Sequence, residues 1–176
     1  MTVLIIILII IAIPLIVALF TKKEYAVERE IIISKPKLQV FNYIKFLKNQ
    51  NNYSVWNMKD PGMKQEFKGT DGAIGFTSAW DSKDKNVGKG EQEIKKITES
   101  ESIDLSLHFI KPFEGLADAR MATLFVSENE TKVTWGFRSK MKYPMNIMLL
   151  IMNMDKMLGK DLATGLENLK RELEKQ

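Results

Sequence analysis

Residues 102–110 read SIDLSLHFI. Ile103, Leu105, Leu107 and Phe109 alternate there with Asp104, Ser106 and His108. Successive side chains of a strand point to opposite faces, so the apolar set shares one side of a β-strand and the polar set the other. The apolar side points inward. Working outward, residues 99–101 and 127–131 are polar turns, residues 115–126 repeat the alternation more weakly, and a further strand follows at 132–141. Upstream, glycine and polar clusters at 69–72 and 81–86 punctuate strands at 63–68, 73–80 and 87–98. Connections this short permit hairpins only, because a parallel crossover needs about a dozen residues or more. The stretch 63–141 therefore predicts an antiparallel meander.

The flanks complete the pattern. Residues 25–34 (YAVEREIIIS) are rich in branched side chains and alternate as a strand. Ser34 and Pro36 then give a helix-start signal, and Val40, Phe41, Ile44 and Leu47 recur at helical spacing until the Asn-rich run 49–52. A short irregular segment, 53–58 (YSVWNM), is closed by the turn Asp60-Pro61-Gly62. After the meander, Pro144 opens one long amphipathic helix to Glu174, with Ile151, Met154, Leu158, Leu162, Leu166, Leu169 and Leu173 three or four apart. Gly159 and Gly165 each cost that helix about 1 kcal/mol relative to alanine, so they are expected where it lies close over the sheet or bends.

This order of elements, an α+β arrangement, resembles the helix-grip fold of the START-like superfamily, in particular the polyketide cyclase/dehydrase and lipid-transport (SRPBCC) group. The resemblance covers residues 24–175. Its marks are the strand at 27–36 with Val40-Phe41 after it, residues 53–56 with Asp60-Pro61, and Gly72 to Gly75 leading to Trp80. Gly88-Lys89-Gly90, residues 131–135 and the closing GLENLK at 165–170 follow. The resemblance implies a curved antiparallel sheet wrapped around the C-terminal helix, with a deep apolar cavity between them. Across the superfamily that cavity holds lipids, polyketides, sterols or plant hormones, and in some members it catalyses. Neither the ligand nor a reaction follows from the fold.

Alternation assigns the faces that would line such a cavity. Ile74, Phe76, Ser78 and Trp80 share one face of their strand, and Val133, Trp135, Phe137, Ser139 and Met141 share one of theirs. Gln92, in step with Gly90 and Ile94, is a polar group facing inward, which either orients a ligand or finds a local partner. Trp56 is expected at the cavity mouth or as a packing anchor for its loop. The expected lining is Trp56, Phe76, Trp80, Gln92, Leu105, Leu107, Phe109, Trp135, Phe137, Leu158 and Leu162. Any of these also serves as plain core, since a sheet under a helix needs an apolar face in either case.

The chain begins differently. Residues 3–20 (VLIIILIIIAIPLIVALF) carry no charge or hydroxyl, and at a helical rise of roughly 1.5 Å per residue they reach about 27 Å, close to the hydrocarbon thickness of a bilayer. Every charged side chain of the protein lies after Phe20. The expectation is a single uncleaved membrane anchor at 1–23 and one soluble domain at 24–176. There is no basic stretch before the apolar run and no small-residue cleavage site after it, as a signal peptide would need. Lys22 and Lys23 place the domain on the cytoplasmic side of the cell membrane by the positive-inside rule.

Composition narrows the chemistry. A net charge of +4 without a dense basic block argues against nucleic acid as a partner and leaves room for weak attraction to anionic headgroups. One histidine and no cysteine exclude the usual nitrogen and sulfur metal sites, and no cofactor motif is present. His108 faces outward by alternation. Asp60, Asp118 and Arg120 remain as acid, base or anion-binding groups, although Asp60 is explained by its turn. No catalytic motif is identifiable. The reading is membrane-tethered binding of a small hydrophobic or amphipathic ligand; the alternatives are a cyclase/dehydrase-type enzyme using the same cavity, or a regulatory protein whose cavity is vestigial.

Overall fold

The computed structural model describes residues 2–175, with the side chains of residues 3–9 outside the described set. Helix α1 (Thr2–Phe20) leads into strand β1 (Glu24–Ile33), helix α2 (Lys37–Ile44), a 3-10 turn (Leu47–Asn52) and the short helix α3 (Val55–Lys59). Strands β2 (Lys64–Lys68), β3 (Thr77–Asp81), β4 (Lys89–Thr98), β5 (Ser102–Lys111), β6 (Gly115–Ser127) and β7 (Glu130–Lys140) follow. A second 3-10 turn (Met145–Leu150) precedes the closing helix α4 (Met154–Glu174). The seven strands form one sheet in the order β1-β7-β6-β5-β4-β3-β2, antiparallel throughout. The meander forms as expected, and β1 closes it by pairing with β7.

The α+β helix-grip architecture places α4 across β1 and β7, where its apolar stripe of Leu162, Leu166, Leu169 and Leu173 is at most 1% exposed. These leucines meet Ile33, Ile103, Met121 and Val133 from the sheet and Phe41 and Ile44 from α2. Burying each such side chain is worth roughly 1.5–3 kcal/mol. The glycines sit where the helix approaches most closely. A Cβ on Gly165 would lie 2.8 Å from the Trp135 ring, and one on Gly159 would lie 2.0 Å from the Arg29 guanidinium.

Three expectations change. The helix expected from Pro144 to Glu174 is two elements, because the Asn153 side chain accepts from the Lys156 N–H at 2.8 Å and caps a new helix start. The strand expected at 73–80 begins only at Thr77, since Gly72 and Gly75 adopt positive φ and turn the chain. Ile74 is consequently 65% exposed and lies off the inner face, whereas Phe76 is buried. Met141 lies beyond the end of β7, half-buried, with its N–H donated to the Lys23 carbonyl at 2.8 Å.

Among the described residues no helix is long and apolar enough to cross a membrane. The span expected at 3–20 falls partly on the side chains outside that set. What is described of α1 is its attachment. Ala18 is fully buried, and the Asn146 side-chain amide donates to the carbonyls of Ala18 at 2.7 Å and Thr21 at 3.0 Å, clamping the last turn of α1 to the second 3-10 turn.

Candidate functional site

The inner, concave face of the sheet is read from its registers. Tyr25, Val27, Arg29, Ile31 and Ile33 of β1 stand beside Ser139, Phe137, Trp135, Val133 and Thr131 of β7. Ala117, Ala119, Met121 and Thr123 of β6 come next, then Leu107, Leu105 and Ile103 of β5. Gln92, Ile94 and Ile97 of β4 continue the face. Ile97 breaks the simple alternation with Gln92 and Ile94 because a bulge near Lys95 adds one residue to β4.

Burial divides this face in two. Toward Ile33 it is closed by α4 and α2. Toward Tyr25 it is only half covered: Tyr25, Trp80, Leu107, Phe109, Phe137 and Leu158 are all half-buried although they point inward. Their rings form a line, with Tyr25 and Phe137 centroids 6.2 Å apart, Phe137 and Phe109 6.3 Å, and Phe109 and Trp80 6.1 Å. Trp80 lies over Gly90, where a Cβ would meet its ring at 2.7 Å, and donates its indole N–H to the Val87 carbonyl at 3.2 Å. Between these rings the floor is made of small side chains, Ala117, Ala119 and Ser139. Bulky half-buried aromatics around a floor of small residues form a concave apolar surface.

The polar groups of this face are few and mostly paired. Gln92 is buried and donates to the Gln50 side-chain oxygen at 2.7 Å, so the local partner allowed for in the sequence is Gln50 of the first 3-10 turn. The Tyr53 hydroxyl, fully buried, lies 3.5 Å from the Met121 sulfur, and burial pushes its pKa up. Burial also raises Tyr25, partly opposed by a hydrogen bond with Ser139. Among the described strand residues of this face, Arg29 carries the one charge, and α4 neutralises it. Its guanidinium donates to both Asp155 carboxylate oxygens at 2.9 Å and to the Asp155 carbonyl at 3.0 Å. Those hydrogen bonds raise the Arg29 pKa and hold the Asp155 carboxyl below the usual carboxylate range.

The sequence-expected lining residues divide accordingly. Trp80, Leu107, Phe109, Phe137 and Leu158 gather at the half-open end, with Gln92 beside Leu107. Phe76, Leu105, Trp135 and Leu162 are core, each no more than 5% exposed. Trp56 sits in α3 rather than in an irregular segment and packs edge-on against Trp135 at 6.1 Å. The acid/base candidates lie elsewhere. His108 is on the outer face, 3.8 Å from Glu91 and 3.6 Å from Glu114. Arg120 is exposed, 3.6 Å from Asp104 and donating to the Ser102 hydroxyl at 3.0 Å, so it is no inward anion clamp. Asp60 opens the expected turn, its carbonyl accepting from the Met63 N–H at 3.0 Å, and its carboxylate accepts from the Ser82 hydroxyl at 2.6 Å. No group of three or more potential metal ligands occurs among the described residues.

Arg29 and Gln50 were missed as residues of this face. Arg29 had a readable signal: it falls in the inward phase of 25, 27, 29, 31 and 33, and a glycine sits opposite on the closing helix. Gln50 had none, because a 3-10 turn carries no periodicity that assigns a face.

A groove of about 1030 Å³ adjoins the half-open end. One wall is the last turns of α1 through Ile16, Val17 and Phe20, the other is residues 149–154, and Thr21, Lys22, Glu24 and Tyr25 complete it. Tyr25 belongs to both the groove and the concave face.

Comparison with known proteins gives the fold. No protein-family model matches the chain, and no curated protein does. Solved structures do. Norcoclaurine synthase from Thalictrum flavum, in complex with dopamine and hydroxybenzaldehyde, is similar at 9% identity and a TM-score of 0.63, over 92% of each chain. A protein from Thermus thermophilus is 17% identical with a TM-score of 0.61, over 85% of this chain and 97% of that one. Ara h 8.0201 is 10% identical with a TM-score of 0.55, over 87% and 99%. At these identities the likeness is one of fold, the helix-grip arrangement.

Proposed function

We propose that this protein is a membrane-tethered binder that holds a small hydrophobic or amphipathic, lipid-like molecule in a chamber between the half-open end of the sheet and α4. The observation that carries the reading is the line of half-buried rings, Tyr25, Phe137, Phe109 and Trp80, over the alanine floor. An inward face left half covered by its own helix is an apolar surface without its full complement, and a ligand supplies the missing contacts. That a structure of the same fold is solved with dopamine and hydroxybenzaldehyde is consistent with small organic guests.

The anchor reading has its own support. Alpha-helical residues from Thr2 to Phe20 hold no charge, and Ile10, Ile11, Ile13, Ile16, Leu19 and Phe20 are each more than half exposed, a surface suited to hydrocarbon rather than water. Phe113, Leu116, Leu150 and Ile151 are exposed by 63–78% at the same end of the domain, which suits a rim turned toward headgroups. With Lys22 and Lys23 directly after the span, the domain lies on the cytoplasmic side of the membrane. Catalysis is disfavoured because Arg29, the charged strand residue of this face among the described residues, is spent on Asp155.

The test uses the protein's own tryptophans, Trp56, Trp80 and Trp135, none of which lies in α1. In vesicles of phospholipid with brominated acyl chains, the full-length protein should lose Trp80 fluorescence, and Trp80→Phe should remove most of the quenched signal. Quenching no greater than that of a soluble tryptophan protein outside the same vesicles would refute the reading.

A further inference from the structure

We infer that the groove between α1 and residues 149–154 is the passage through which an acyl chain of an anionic membrane phospholipid reaches the concave face. This rests on the binding function proposed above and adds the source and route of the ligand. The groove's volume, about 1030 Å³, is at the upper end of small-molecule sites. Its first wall, Ile16, Val17 and Phe20, belongs to the helix read as membrane-embedded, so its outer end opens onto hydrocarbon. Its inner end is Tyr25, which begins the line of rings running through Phe137 and Phe109 to Trp80. An acyl chain leaving the bilayer along this route has apolar side chains on both walls, Ile16, Val17 and Phe20 on one and Leu149 to Met152 on the other.

Two local features build the passage. The Asn146 amide, bonded to the Ala18 and Thr21 carbonyls, fixes the α1 wall against the second 3-10 turn. The break in the expected helix at residues 151–153 puts the end of the 3-10 turn and its link to α4 in the opposite wall, where Leu149, Leu150, Ile151, Met152 and Met154 supply apolar side chains. The charge at the groove favours a phosphate. Lys22 lines it and Lys23 is exposed beside it, while Glu24, also in the lining, is held by Lys140 at 2.6 Å. With Glu24 paired to Lys140, the formal charge left there is that of Lys22 and Lys23, and juxtamembrane lysines attract anionic headgroups.

The experiment places the full-length protein in phosphatidylglycerol vesicles in which a fraction of the lipid carries a photoactivatable acyl chain, and maps labelled peptides by mass spectrometry. Labelling is expected at residues 149–154 and on the peptides bearing Phe109 and Phe137. Two variants block the groove in different ways: Val17→Phe combined with Met152→Phe fills it, and Ile151→Asp sets a charge in its wall. Each should lower labelling at Phe109 and Phe137 about tenfold, the factor that separates binding constants differing by ~1.4 kcal/mol. Undiminished labelling there in both variants would overturn the passage and leave the binding function standing. Absence of label at Phe109 and Phe137 in the unmodified protein would overturn the binding function itself, and the passage with it.

Discussion

The two ends of the concave face are built from the same strands and differ in what covers them. Toward Ile33, leucines of α4 and Phe41 and Ile44 of α2 seal Ile103, Met121 and Val133 from solvent completely. Toward Tyr25, larger side chains stand on a floor of Ala117, Ala119 and Ser139, and α4 contributes only the half-buried Met154 and Leu158. Close packing seals one end, and the other leaves an apolar face half covered, the surface on which the proposed guest would lie. The groove beside α1 adjoins the half-covered end through Tyr25, and under the proposed function that is the side from which a ligand would come.

Truncation at the two ends should separate stability from binding. Leu166→Ala, at the closed end, should cost about 2–5 kcal/mol of unfolding free energy in denaturant titration, with ligand retention unchanged in the fraction that stays folded. Phe109→Ala, at the half-open end, should cost clearly less stability and should release the ligand. Equal losses of stability at the two positions would erase the distinction.

The Gln50–Gln92 pair lies between these regimes. Gln92→Leu strands the buried Gln50 amide and should destabilise by roughly 1–3 kcal/mol, whereas changing both residues to leucine should restore much of the loss. A double variant as unstable as the sum of the single variants would argue against a shared hydrogen bond.

The smallest effect expected is a pH dependence at the ion pair that crosses the face. Hydrogen bonds from Arg29 lower the Asp155 pKa in the folded protein, with burial opposing them. A depressed carboxyl stabilises above the unfolded pKa of about 3.9 and loses that stabilisation as pH falls through the folded value. Asp155→Asn should therefore lower stability by a small, pH-independent amount near neutrality and flatten the acid limb, the difference from the unmodified protein vanishing as pH falls below the folded pKa. Glu174, lowered chiefly by the Ser34 N–H at 2.7 Å, should remain as an independent acid-sensitive group at the closed end.

Strand pattern carried most of the architecture, because a half-buried strand writes its faces into a period of two and a hairpin writes its turn in glycine and polar residues. Ser102–Lys111 and Glu130–Lys140 lie within one or two residues of their expected limits. What alternation could not show were departures from its own period. The bulge near Lys95 shifts Ile97 inward, and Gly75 delays β3 so that Ile74 points away. The Asn153 cap was hidden because apolar residues at 151, 154 and 158 keep helical spacing across the break. At the site, the aromatic line was legible residue by residue, but its division from the core was not, since spacing says which way a side chain points and not what lies above it.

The central claim is that the half-open end holds a lipid-like guest, and native mass spectrometry of the full-length protein released from phospholipid nanodiscs tests it most directly. The account predicts a bound species of phospholipid or fatty-acid mass on the unmodified protein, lost when Ala119→Phe and Ala117→Phe fill the floor beneath Phe137 and Leu107. No bound species from any nanodisc composition, or one that persists undiminished after the floor is filled, would contradict it.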